Sequence, residues 1–209
     1  MPVLEQIAYF QNRRDDLPNQ ELAHKLAEAN DQEGIREIAE NLWNKKPTIQ
    51  SDCIKVLYWI GYSNPDLIAG YADEFLKLLR SRNNRMAWGG MIALSTIAGV
   101  SADAIYPRYT EVQKAMEHGS VITVDGGVLT LATLASTSQE RCGELFPYLL
   151  NILETCRPKS VPQYAEKAFL AVNAENKHDF IWVLEKRLED MTGSQAARLR
   201  RAIKQAKLL

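Results

Sequence analysis

Arg85-Met86-Ala87-Trp88-Gly89-Gly90-Met91-Ile92-Ala93-Leu94 is the stretch on which the reading of this chain turns, with an echo at Thr123-Val124-Asp125-Gly126-Gly127-Val128-Leu129. Gly89 and Gly126 stand 37 residues apart, each the first of a Gly-Gly pair inside an apolar segment of helix length. A glycine in a helix interior costs about 1 kcal/mol relative to alanine. Two adjacent glycines, repeated in register, therefore imply close packing or a bound ligand at that place. A period in the thirties is the mark of a helical-repeat protein.

The register extends in both directions. Asn64-Pro65-Asp66, Ser101-Ala102-Asp103 and Ser138-Gln139-Glu140 each read as an N-cap followed by an acidic first turn, again 37 residues apart. Asn176 follows at 38, and Asn30-Asp31 precedes by 34. Behind these caps Ile68, Ala72, Phe75 and Leu79 align with Ile105, Tyr109, Val112 and Met116, then with Cys142, Phe146, Leu149 and Leu153. Steps of four, three and four mark one face of an α-helix, the A helix of each repeat. A second, B, helix follows the breaks at Pro47, Asn83-Asn84, Gly119-Ser120, Pro158 to Pro162 and Gly193-Ser194.

In the B helices Cys53, Val56, Leu57 and Ile60 align with Gly90, Ala93, Leu94 and Ile97, and with Gly127, Thr130, Leu131 and Leu134. After one inserted residue Ala165, Ala168, Phe169 and Val172 continue the series. Ala196, Leu199, Ile203 and Ala206 form the apolar side of the last helix. Val121-Ile122-Thr123-Val124 would read alone as a strand; the repeat assigns it to a helix. Ahead of the repeats, residues 1–30 read as a cap: a short amphipathic helix over Pro2 to Gln11, then a helix from Asn19 to Ala29 with Pro18 at its first turn.

Five helix pairs, at about 31–62, 64–99, 101–136, 138–174 and 176–209, resemble HEAT or armadillo-like repeats. The resemblance is architectural, carried by pair length and apolar register, and no family-specific functional motif accompanies it. It implies an all-α fold, a right-handed α-α superhelix forming a single domain over 1–209, with the B helices lining the concave face.

The formal net charge of −1 argues against a dedicated nucleic-acid binder, which usually has a basic domain. Charge is nonetheless unevenly spread. Eight acids lie between Asp15 and Glu40 against Lys25 and Arg36, while Ser194 to Leu209 holds five bases and no acid. Association of unlike ends between copies is one expectation from this polarity. Cys53, Cys142 and Cys156 form no Cys-x-x-Cys pair and suit a reducing cytoplasm. Neither a signal-peptide pattern at Met1 to Asn12 nor an apolar run of membrane-spanning length is present, so no membrane partner is expected.

No cofactor or metal is expected either. His24, His118 and His178 fall in different repeats, without metal-ligand spacing. Neither glycine pair belongs to a phosphate loop, since Gly-Lys-Ser/Thr and Gly-x-Gly-x-x-Gly are both missing.

With Gly90, Ala93, Leu94 and Ile97 toward the core, Trp88, Ile92 and Ser95 point the other way at 100° per residue, with Arg85 beside them. The same positions elsewhere are Ser51, Lys55 and Tyr58; Ile122, Asp125 and Leu129; and Gln163 and Lys167. The expected partner-binding strip therefore comprises Lys55, Tyr58, Arg85, Trp88, Ile92, Asp125, Leu129, Gln163 and Lys167. Large apolar groups off the core face suggest a contact surface; the competing reading is that the cap or a neighbouring helix covers them. The leading expectation is a non-catalytic, cytoplasmic scaffold that binds a protein or peptide, with no catalytic residue.

A second resemblance points to chemistry. Val124-Asp125, with Trp88 one repeat earlier, looks like the Val-Asp element of HEAT-like DNA glycosylases that excise alkylated purines. That likeness implies DNA binding, with Asp125 steadying an oxocarbenium-like charge. The chain departs from the pattern at Val121-Ile122, where an aromatic pair is expected, and at Gln163-Tyr164, where arginine is expected.

Overall fold

Short-range chemistry sets where most helices begin. In the computed structural model, which describes residues 2–209, α1 (Leu17–Glu28) carries Pro18 in its first turn, where a missing N–H is harmless. α2 (Gln32–Glu40) is capped by Asp31, whose carboxylate accepts the Gly34 N–H at 2.9 Å. α3 (Pro47–Ser63) opens on Pro47. α4 (Ala72–Leu78) is followed by α5 (Asn84–Ile97), capped by the Asn83 side chain on the Arg85 N–H at 3.1 Å. α6 (Ala102–Ile105), α7 (Tyr109–Glu117) and α8 (Val121–Ser136) complete the third repeat. α9 (Gln139–Thr155), α10 (Val161–Ala168), α11 (Lys177–Leu188) and α12 (Gly193–Ala206) make up the rest. No strand occurs among the described residues, and Val121 to Val124 are helical.

The chain packs as two compact units, Met1–Gly127 and Val128–Leu209. In the first, the A helices are α2, α4 and the α6–α7 limb, and the B helices are α3, α5 and the start of α8. The glycine pairs fall at helix crossings. A Cβ on Gly89 would lie 2.9 Å from Cγ1 of Ile54 on α3, and one on Gly126 would lie 2.9 Å from Cγ of Met91 on α5. The first glycine of each pair is thus where a B helix meets the preceding B helix. A Cβ on Gly90 would lie 2.8 Å from Cβ of Leu78, and one on Gly127 2.4 Å from Cγ of Met116. The second glycine is where the B helix meets the A helix of its own repeat. Close approach of neighbouring helices accounts for both positions.

The aligned apolar positions form the core. Ile68, Phe75, Ile105 and Val112 from the A helices and Cys53, Val56, Leu57, Ile60, Ala93, Leu94 and Ile97 from the B helices are all fully buried. In the first unit Tyr109 is the exception, half-buried at the surface. The A limbs of the second and third repeats are broken rather than continuous. Two 3-10 turns, Pro65–Leu67 and Ala69–Tyr71, precede α4, and another, Tyr106–Arg108, separates α6 from α7. Pro107 has no N–H to continue the α-helical ladder.

The N-terminal segment differs from the helix expected over Pro2 to Gln11. Only Val3–Gln6 is helical, as a 3-10 turn, and Asn12 takes a positive φ of 54°. The cause is long-range: side chains take the Ala8 and Tyr9 amide protons that a helix would have used, and hold the first-turn amides of Val3 and Leu4 as well. Glu37 accepts from Val3 and Leu4 at 3.2 and 3.0 Å, Asn19 from Ala8 at 2.9 Å, and Asp52 from Tyr9 at 2.9 Å. The Asn19 amide in turn donates to Asp52 at 3.0 Å. Asp52 holds the register position of Gly89 on the first B helix, where it faces α1 and meets Asn19 of that helix. Asp52→Ala is expected to cost about 2 kcal/mol, since it leaves buried donors unpaired. Amide exchange should show the Tyr9 N–H losing protection while α5 keeps its own.

In the second unit α9 and α11 are A helices and α10 and α12 B helices. Its core holds Leu145, Leu149, Leu153, Tyr164, Ala165, Phe180, Leu184 and Leu199. α10 ends at Ala168, so the aligned Phe169 falls in a 3-10 turn and, like Val172 beyond it, is only half-buried. Arg187, buried on α11, donates to the carbonyls of Leu153, Glu154 and Cys156 at the C-terminus of α9. These are the carbonyls a helix end leaves unsatisfied, and a cation there also opposes the helix dipole.

The expected caps divide into two kinds. Ser138 accepts from the Arg141 N–H at 3.2 Å, and Asp31 caps α2 as described. Asn64, Ser101 and Asn176 make no side-chain cap bond. Ser101 donates to the Ala69 carbonyl of the preceding repeat at 3.1 Å, and Asn176 ties its own loop by donating to Ala171 at 2.9 Å.

Candidate functional site

The B helices of the first unit bring four aromatic rings together. Tyr58, Trp59 and Tyr62 come from α3 and Trp88 from α5. Tyr58 lies 6.4 Å from Trp88, 6.0 Å from Tyr62 and 6.3 Å from Trp59, and Trp59 lies 5.5 Å from Tyr62 between centroids. Edge-to-face and tilted pairs at these separations fit the quadrupoles of the rings. Tyr58 is buried at the base of the cluster, Trp59 and Trp88 are half-buried, and Tyr62 is 58% exposed. Burial pushes the Tyr58 phenol up, with the Asp16 charge adding to it. Tyr62 is also raised, by burial first and then by the charge of the Asp125 carboxylate on α8.

The other expected strip residues divide by unit. Lys55 on α3 is ion-paired with Asp16, ahead of α1, and with Asp52 at 3.8 Å. The cap thus covers that end of the strip, and Tyr58 lies in the packing rather than at the surface. Arg85 is exposed in the first turn of α5, and Ile92 is half-buried one turn beyond Trp88. Ser95 bonds back to the Ile92 carbonyl at 2.7 Å. Leu129, Gln163 and Lys167 belong to the second unit, where Gln163 is exposed and the other two are half-buried. Asp125 is half-buried on the first half of α8.

Trp59 and Tyr62 were not among the expected residues. Tyr62 had a signal, since positions 51, 55, 58 and 62 continue one helical stripe by a further turn. Trp59 is adjacent to that stripe and is drawn in by its neighbours.

The arrangement offers ring faces, one carboxylate and apolar edges, which suits contact with side chains rather than bond-making. The cysteines are not poised as nucleophiles: burial raises the thiols of Cys53, Cys142 and Cys156. No group of three His, Cys, Asp or Glu side chains suited to a metal occurs among the described residues. Among the described residues no helix is long and apolar enough to cross a membrane.

Helix pairs in a 37-residue register, with paired glycines at their crossings, define an all-α helical-repeat protein of HEAT/armadillo-like fold. No protein-family model and no curated protein matches the chain. Solved structures do. An engineered protein is similar over 99% of this chain and 97% of its own, with 19% identity and a TM-score of 0.68. A designed armadillo repeat protein in complex with the peptide (KR)4 is similar over 98% and 97%, with 17% identity and a TM-score of 0.67. Kap121p bound to Pho4p is similar over 98% of this chain but 22% of its own, with 16% identity and a TM-score of 0.64. At these identities the likeness shows the fold.

Proposed function

We propose that this chain is a non-catalytic binding protein whose B-helix face takes an extended segment of a protein or peptide partner. The observation that carries this reading is the aromatic rim of Trp59, Tyr62 and Trp88, gathered from two consecutive B helices. Tyrosine and tryptophan dominate binding hot spots because they present large rigid surfaces at low entropic cost. Ring faces also attract cationic side chains, and Asp125 would favour the same charge. The peptide-bound designed armadillo protein and the Pho4p-bound Kap121p support the assignment by analogy of fold.

The base-excising alternative, with Asp125 as key carboxylate, has less support. Val121 and Ile122 are exposed where that pattern needs aromatics. Arg198, one base that could contribute to a positive groove, is forked onto Glu166 at 2.8 and 2.6 Å.

Selection from a displayed random-peptide library tests the proposal. Peptides that bind the wild-type chain should lose at least about tenfold in affinity for Trp88→Ala and for Tyr62→Ala, the size of a hot-spot loss. Tyr62 is the better second position, because truncating buried Tyr58 would also loosen α3 against α5. Selected peptides that bind both variants as tightly as the wild type would place the site elsewhere.

A further inference from the structure

A second site lies in the first unit and uses none of the aromatic rim. A cavity of about 570 Å³ opens where the end of α4, the start of α5, the end of α7 and the first turn of α8 converge. We infer that it binds a phosphomonoester, a phosphate group carried on an apolar organic body.

Charge is the first argument. Arg80, Arg82 and Lys114 line the cavity with His118, against a single carboxylate, Glu111. That carboxylate is already engaged. It accepts from Arg108 at 2.8 and 3.1 Å and pairs with Arg80 at 3.1 Å, and these guanidinium groups hold it below the usual carboxylate range. Arg108 stands outside the lining, so its charge offsets Glu111 from behind and the cavity stays net positive. Arg82 and Lys114 have no ion-pair partner among the described residues. Two cations with no carboxylate paired to them can take a dianion by charge-assisted hydrogen bonds.

Size and lining give the rest. The volume is that of a small-molecule site, far larger than a bare phosphate needs. Leu79, Ala87 and Ala115 supply an apolar wall, and Asn84 and Thr123 supply uncharged polar groups. Gly119 keeps its corner shut by backbone approach: a Cβ there would lie 2.4 Å from the Ala115 carbonyl oxygen and 2.7 Å from Thr123. A ligand whose phosphate meets Arg82 and Lys114 and whose carbon meets the apolar side chains matches both parts of this lining.

Calorimetric titration of the full chain with phenyl phosphate is the test, with inorganic phosphate and a phosphoserine tripeptide in parallel. Phenyl phosphate should saturate one site and bind more tightly than inorganic phosphate. Arg82→Gln and Lys114→Gln should each weaken it by roughly tenfold, and added salt should weaken it further. Both side chains are exposed, so the variants should melt like the wild type. A tripeptide that outbinds phenyl phosphate assigns the site to a phosphorylated chain, and the reverse order assigns it to a free small molecule. Absence of saturation at millimolar phenyl phosphate, or affinity unchanged in both glutamine variants, overturns the inference.

Discussion

Gly90→Val is expected to destabilise the chain by about 3 kcal/mol, lowering the melting midpoint by roughly 6 to 12 °C at this chain length. Helix propensity alone predicts the opposite sign, because glycine is the poorest ordinary residue in a helix interior. Packing decides the outcome. The added Cβ would stand 2.8 Å from the Leu78 Cβ and 3.0 Å from the Phe75 carbonyl oxygen. Neither atom belongs to a flexible side-chain end, so α4 and α5 must separate. Gly127 meets Met116 at Cγ and Sδ, the movable part of a pliant side chain, so Gly127→Ala should cost less than Gly90→Ala. Gly143, within α9, has nothing within 4 Å of its would-be Cβ, so Gly143→Ala should stabilise by up to about 1 kcal/mol. Thermal melts of the four variants check the order. A stabilising Gly90→Ala would show that the helix pair is not closely packed there.

Arg187→Met carries the second large effect, about 3 kcal/mol, the cost of stripping a charged donor from buried acceptors. Methionine fills much of the volume but leaves the carbonyls of Leu153, Glu154 and Cys156 without the guanidinium that now serves them. Arg187→Lys should recover only part of the loss, because a single ammonium nitrogen lacks the spread of the two guanidinium nitrogens that now serve the three carbonyls. The carboxylate of Asp190 lies 3.4 Å from Nε but is 57% exposed and adds little. Asp190→Asn should therefore leave denaturant midpoints nearly unchanged while Arg187→Met lowers them. Equal effects would shift the role from capping carbonyls to ion pairing.

The repeat could be read because its signals are local or periodic. Apolar steps along Ile68 to Leu79 and Cys53 to Ile60 depend only on helix geometry. The glycine pairs mark crossings whatever the rest of the fold does. What could not be read depends on contacts between residues far apart in sequence. Nothing near Ser101 announces that its hydroxyl serves Ala69, 32 residues earlier. Lys55 looks like an open strip residue until Asp16, 39 residues before it, arrives with the cap. The Asp52 and Asn19 network likewise unmakes a plausible N-terminal helix from a distance. Arg187 resembles any surface arginine on an amphipathic helix, and only the end of α9 above it gives it a task.

The same division holds at the candidate site. Projection of the B helices singled out Tyr58, Trp88 and Asp125, and the structure places Tyr58 against Trp88. Projection could not rank depth, so buried Tyr58 stood level with Trp88. Depth matters here, because a partner can touch the rim but not the base of the cluster.

The four tryptophans provide the most direct test of the binding face. Trp59 and Trp88 stand in the rim. Trp43, bonded through its indole N–H to Glu74 at 2.7 Å, and Trp182 on α11, with the Lys186 ammonium 5.2 Å from its ring centroid, lie on A limbs. Indole N–H resonances, assigned by single Trp→Phe changes, can be followed while a selected peptide is added. Binding at the B-helix face predicts that the Trp59 and Trp88 signals move together with one affinity while those of Trp43 and Trp182 stay in place. Movement of Trp43 or Trp182, with Trp59 and Trp88 unmoved, would contradict the assignment.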